Sequence, residues 1–161
     1  MRAHSLLLVG LIASCGGSDP KALTDAGSTA LNSGDAKAAV ASFDRALEHM
    51  DAANPDYLRA SVGRCQALAR IDPKRAEDDF LALARAQPSR VREPDFTVVA
   101  TELVRQHAIA SAVAVAEAGM QTFADSPSMK TLRDVVGDAA KKASDPEALK
   151  RLKGLGYAGD G

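Results

Sequence analysis

Tryptophan is absent from the 161 residues, aromatics amount to 4%, and only two cysteines and three histidines occur. A core with so few rings must close on small side chains, and so few thiols and imidazoles exclude a disulfide framework or a cysteine-rich zinc site. Twenty basic residues stand against 21 acidic ones, without the basic excess that nucleic-acid binding leaves on a sequence. No run reaches the roughly 18 apolar residues of a membrane-spanning helix, and no strand-like alternation or Asn-Gly hairpin occurs. A glycine-rich phosphate loop, a nucleophile elbow and a Cys–His pairing are also missing.

What is abundant is alanine, at 32 of 161 residues. It is the best helix former and lets helices approach closely, so the composition predicts one all-α domain of ordinary size. Prolines punctuate it. Asp19-Pro20, Asn54-Pro55, Asp72-Pro73, Ser126-Pro127 and Asp145-Pro146 each put a capping side chain before proline, the signature of a helix start. Pro20, Pro55 and Pro127 lie 35 and then 72 residues apart, one and two lengths of a repeat, which predicts stacked helical hairpins. Eight helices are expected over 20–33, 36–50, 55–70, 73–87, 94–107, 109–124, 127–143 and 146–153, with 89–93 as the longest break.

Within the pairs, Leu23, Gly27 and Ala30, then Gly34-Asp35, Ala39, Phe43 and Ala46, resemble the tetratricopeptide repeat (TPR). Small residues stand where two helices touch, and an aromatic fills the space toward the next pair. Tyr57, Gly63, Ala67, Ala76, Phe80 and Pro88 form a looser second copy, whose turn reads one residue shorter. Phe96, Ala100, Leu103, Ala112, Ala116, Gly119 and Phe123 form a degenerate third, with His107-Ala108 in place of Gly-Asp. The resemblance implies a right-handed stack of antiparallel helix pairs, a TPR-like α-solenoid of about three repeats over 20–126. Residues 127–153 then supply capping helices, the first with an apolar stripe of Met129, Leu132, Val136 and Ala140. Residues 154–161 read as a flexible tail whose Leu155 and Tyr157 pack on the last helices. The segment 152–157 is similar to short endings of some exported bacterial repeat proteins and sulfatases, and a docking tag is the alternative.

In that family the first helix of each pair lines a groove for an extended peptide or partner helix. The matching registers are Lys21, Thr24, Ser28 and Asn32, then Tyr57, Ala60, Arg64 and Leu68, then Thr97, Thr101 and Arg105. Arg64 and Arg105 can pair with a carboxylate or simply face water. The family's two-carboxylate clamp is missing, since Thr24, Ser28 and Ser61 occupy its positions.

The N-terminus carries an address. Arg2 precedes the short apolar run Ser5 to Ala13, and Ile12-Ala13-Ser14-Cys15 resembles the lipobox of bacterial lipoproteins. This implies a signal peptide over 1–14, a lipidated Cys15 and a short tether over 15–19. Acyl chains such as palmitate hold a domain at a membrane with about 0.8 kcal/mol per buried methylene. An ordinary secretory signal with a chance cysteine is the alternative. Gly16, rather than aspartate, after the cysteine implies the periplasmic face of the outer membrane in a diderm cell. Lipidation leaves Cys65 alone, as a small buried hydrophobe rather than a reactive thiol.

Little else suggests chemistry. His49 and His107 each stand near a helix C-terminus, where the dipole suits a cation. Glu77, Asp78 and Asp79 complement a helix N-terminus. No catalytic group, metal or cofactor is expected. The sequence therefore predicts a lipid-anchored scaffold that binds proteins or peptides at the bacterial cell envelope. The other reading is a structural accessory subunit of an envelope assembly or secretion complex.

Overall fold

A computed structural model describes residues 19–158, and every regular element among them is an α-helix. The helices are α1 (Pro20–Asn32), α2 (Ala36–Glu48), α3 (Tyr57–Ala69), α4 (Pro73–Ala86), α5 (Glu93–Arg105), α6 (Ile109–Thr122), α7 (Pro127–Lys142) and α8 (Pro146–Gly154). The expected signal peptide, Cys15 and most of the tether lie outside the described residues.

Four of the five residue–proline pairs start helices as expected. Asp19 accepts from the Lys21 amide at 3.1 Å, Asp72 from Arg75 at 3.2 Å, Ser126 from Met129 at 3.3 Å and Asp145 from Ala148 at 3.0 Å. Each satisfies an amide that the first helical turn leaves without a partner. Asn54-Pro55 differs. The Asn54 side chain accepts from the Asp56 amide at 2.9 Å and its carbonyl from the Tyr57 amide at 3.2 Å. This closes an Asx turn, so α3 starts at Tyr57, two residues later than expected. The longest break is accordingly 49–56, not 89–93.

Three residues join each successive pair: 33–35, 70–72, 106–108 and 143–145. The second turn is therefore not shorter than the others; its conformation differs. In the first, third and fourth, one residue adopts a left-handed conformation: Gly34 at φ +89°, His107 at +58° and Ser144 at +54°. The next amide then reaches back to the third-last helical carbonyl, as Asp35 to Ala30 at 2.9 Å, Ala108 to Leu103 at 3.0 Å and Asp145 to Ala140 at 3.1 Å. These are Schellman turns, which satisfy carbonyls at the helix end. Gly156 and Tyr157 repeat the pattern after α8. The second turn has no such residue, and the Asp72 amide donates to Leu68 at 2.7 Å instead. The N-caps of the even helices, at 35, 72, 108 and 145, fall at intervals of 37, 36 and 37. The α7–α8 hairpin thus uses the same turn as the first and third hairpins, at nearly the same interval.

Each helix touches its hairpin partner and the helix after it. Odd helices also touch in series, α1 to α3, α3 to α5 and α5 to α7, while α4 touches α6 and α6 touches α8. Helices α2 and α4 do not touch. The apolar interior divides in two. One cluster gathers Leu23, Leu31, Ala39, Phe43 and Ala46 onto Ala60 and Ala67 of α3. The larger runs from Val62, Cys65 and Leu68 of α3 through Phe80, Phe96 and Met129 to Tyr157.

Small residues and rings interlock as the alanine-rich composition predicts. The Phe43 ring lies between Gly27 of α1 and Gly63 of α3, where an added Cβ would come within 2.7 and 2.6 Å of it. Phe96 meets Phe80 and Phe123 edge-on at centroid distances of 5.0 and 5.9 Å, the favoured arrangement of aromatic quadrupoles. Gly137 of α7 receives the Tyr157 ring, whose hydroxyl donates to Asp138 at 3.1 Å. Helix α8 reaches Gly154, and Tyr157 is buried. Residues 154–157 therefore belong to the packed body and do not trail from it as a tail.

Candidate functional site

The odd helices share one face, and two depressions open on it. The first, about 430 Å³, lies between α1 and α3 and is lined by Ser28, Asn32, Arg59, Val62 and Gln66, with Asp95 at its edge. The second, about 440 Å³, lies between α5 and α7, lined by Pro94, Thr97, Val98, Thr101, Thr131, Leu132 and Val135. It carries no charged side chain, and Val98 and Val135 are 39% and 43% exposed. Val135 also borders a third depression of about 490 Å³, whose rim holds His107, Asp138 and Lys142.

The exposed valines follow from local sequence. Val98-Val99 and Val135-Val136 are doublets 37 residues apart. A helix turns 100° per residue, so its buried stripe takes one valine of each doublet and presents the other. Val99 and Val136 are fully buried. The doublets were the available signal for this face, and neither valine stood among the expected groove residues.

Several expected groove residues do reach this face, and others do not. Ser28, Asn32, Thr97 and Thr101 line the two depressions. Lys21 is exposed on α1, bonded to Asp25 at 2.7 Å. Thr24 is fully buried, its hydroxyl donating to the Pro20 carbonyl at 2.8 Å, so it cannot contact a partner. Ala60 and Leu68 are buried as well. Tyr57 and Arg64 line a different opening, between α2 and α4. The register expected for α3 is two residues off, and a two-residue shift turns a helix by about 200°. The α3 side chains that reach the odd-helix face are Leu58, Arg59, Val62 and Gln66.

The charged groups here are mostly held. The Asp25 carboxylate accepts from Lys21 and from Arg59, each at 2.7 Å, and those bonds hold its carboxyl below the usual range. Glu102, 4% exposed, accepts from Arg70 Nε at 2.8 Å, Arg105 Nη1 at 3.0 Å and Gln106 at 3.1 Å. Burial alone would raise its pKa, but these donors outweigh it and keep the carboxyl below its ordinary value. Arg105 is thus ion-paired within its own helix, though its side chain stays two-thirds exposed. Of the acidic run, Glu77 and Asp78 pair with Lys74, and Asp79 with Arg64 and Arg75.

No protein-family profile, curated protein or solved structure matches this chain. Among the described residues, no three His, Cys, Asp or Glu side chains are placed to hold a metal ion. None of the described helices is long and apolar enough to cross a membrane. Cys65 is buried, and burial pushes its thiol up to about 12, with the Asp79 charge adding to the rise.

Proposed function

We propose that this chain is a TPR-like helical-repeat scaffold that binds partner proteins or peptides along the face of α1, α3, α5 and α7. A lipid on Cys15 would anchor it at the cell envelope. The observation that carries the reading is the uncharged depression between α5 and α7, with a half-exposed valine on each wall. Exposed valines at equivalent positions of successive pairs suit apolar side chains spaced along a partner segment, and the threonines around them suit its backbone.

The serial contacts of odd helices and the recurring turn support a solenoid of antiparallel pairs, right-handed as the TPR resemblance implies. On this reading α7–α8 is a fourth pair rather than a separate cap. The lipobox resemblance at 12–15 supports the anchor and the location, by default the periplasmic side of an outer membrane. The reading needs no cofactor and no catalytic residue.

Co-purification from envelope extracts tests the face. A Val98→Asp/Val135→Asp variant is expected to lose the partners that the parent chain retains, whereas Ile71→Asp, in the α3–α4 turn, keeps them. Retention of the same partners by the double variant contradicts the assignment. Cys15→Ser tests the anchor: the chain should leave the membrane fraction, and membrane retention would contradict lipidation.

A further inference from the structure

Helix α3 lies between the two apolar clusters, and Val40 of α2 packs against both. Ala60, Gly63 and Ala67 face the α1–α2 hairpin, and Val62, Cys65, Leu68 and Ala69 face the rest of the body. The hairpin's side of this wall is made of small residues, with Phe43 as the only large ring pressed into it. On the even-helix side the stack is continuous from α4 to α8 but open between α2 and α4, where a cleft of about 470 Å³ lies over α3. One guanidinium spans that cleft. Arg64 of α3, 14% exposed at its side chain, donates to Asp44 of α2, and to Asp79 of α4 at 2.5 Å.

We infer that the α1–α2 hairpin is a hinged unit that turns about α3, held closed on its even-helix side by the bond between Arg64 and Asp44. Arg59–Asp25 and the Arg70 bond to the Leu31 carbonyl tie α1 to α3 on the other side. The two openings beside α3 lie on opposite sides of it. Tyr57, Ser61 and Arg64 floor the even-side cleft, and Arg59, Val62 and Gln66 floor the odd-side depression. At 100° per residue these sets are centred roughly 170° apart. Rotation of the hairpin about α3 therefore widens one opening as it narrows the other. If the odd-helix face binds a partner as proposed above, occupancy there and closure at Arg64 are coupled.

The geometry distinguishes the two carboxylates. Arg64–Asp44 crosses the hinge, whereas Arg64–Asp79 stays within the body formed by α3 to α8. Hydrogen exchange read by mass spectrometry on the full chain tests this with no partner present, so its outcome is independent of the proposed binding. Amides of α1 and α2 should exchange faster than those of α5 and α6, through openings below the global unfolding energy. Asp44→Asn should accelerate α1–α2 exchange about tenfold, equivalent to ~1.4 kcal/mol, and leave α5–α6 unchanged. Asp79→Asn, which removes the same charge from the same arginine, should change α1–α2 exchange by less than about twofold, under ~0.4 kcal/mol. Equal protection of α1–α2 and α5–α6 in the parent chain would overturn the hinge. So would an Asp44→Asn effect that is absent, spread over all helices or matched by Asp79→Asn.

Discussion

Arg70 and Glu102 join three odd helices through one guanidinium. Arg70, the residue after α3, donates from Nε to the buried Glu102 of α5 at 2.8 Å and from Nη1 to the Leu31 carbonyl of α1 at 2.9 Å. The Leu31 carbonyl lies in the last turn of α1, so the same cation also sits at the negative end of that helix. The register of α1, α3 and α5, and with it the shape of the odd-helix face, depends on this bridge.

Breaking the bridge leaves a buried carboxylate short of a donor. Arg70→Met should lower unfolding free energy by about 3 kcal/mol, the lower end of the range for removing one member of a buried ion pair, as measured by urea denaturation. Unchanged stability would mean that Arg105 and Gln106 satisfy Glu102 alone.

The same site sets an acid limit. The folded pKa of Glu102 lies below its ordinary value of 4.5. Its contribution is therefore present above about pH 4.5 and is lost as pH falls through the depressed folded value. Glu102→Gln should weaken the protein at neutral pH and flatten the dependence of stability on pH below about 4.5. An acid limb identical to that of the parent chain would place the titration elsewhere.

Gly63 and Gly154 make a matched pair of substitutions. A methyl at Gly63 would meet the Phe43 ring at 2.6 Å, while nothing lies within 4 Å of one at Gly154. Gly63→Ala should cost about 1–3 kcal/mol through overpacking, and Gly154→Ala should be neutral or slightly stabilising. Thermal unfolding of the two variants reads the difference, and equal melting temperatures would contradict the interlock of Phe43 between Gly27 and Gly63.

Cys65 should be inert in the folded chain. With the thiol raised to about 12 and buried, almost none is thiolate at pH 8, and thiolate is the reacting form. In a Cys15→Ser chain, Ellman's reagent should react slowly under native conditions and stoichiometrically after unfolding. Rapid native labelling would refute the burial.

Much of the fold was legible because its signals are local. Aspartate or serine before proline marks a helix start wherever the proline falls at the first helical position, as at Asp19, Asp72, Ser126 and Asp145. Asn54-Pro55 carries the same signal, but its side chain bonds within a turn, and sequence offers no means to tell the two uses apart. The equivalence of the last hairpin to the others was hidden because the left-handed turn position is glycine at 34 but histidine at 107 and serine at 144. The groove was legible on α1 and α5, apart from the buried Thr24, and failed on α3, where a two-residue error in register puts every expected side chain on another side of the helix. Arg64 looked like a solvated or partner-facing cation and Arg70 carried no signal, because their bonding residues lie 15 to 39 positions away. Such pairings are fixed by tertiary packing rather than by any spacing along the chain.

The central claim is that partners bind the odd-helix face. Photo-crosslinking in intact cells tests it most directly, with a photoreactive amino acid placed at Val98, at Val135 or at Lys150 on α8. The account predicts a discrete adduct from the two valine positions, containing the same protein by mass spectrometry, and none from position 150. Adducts from position 150 alone, or no adduct from either valine, would contradict it.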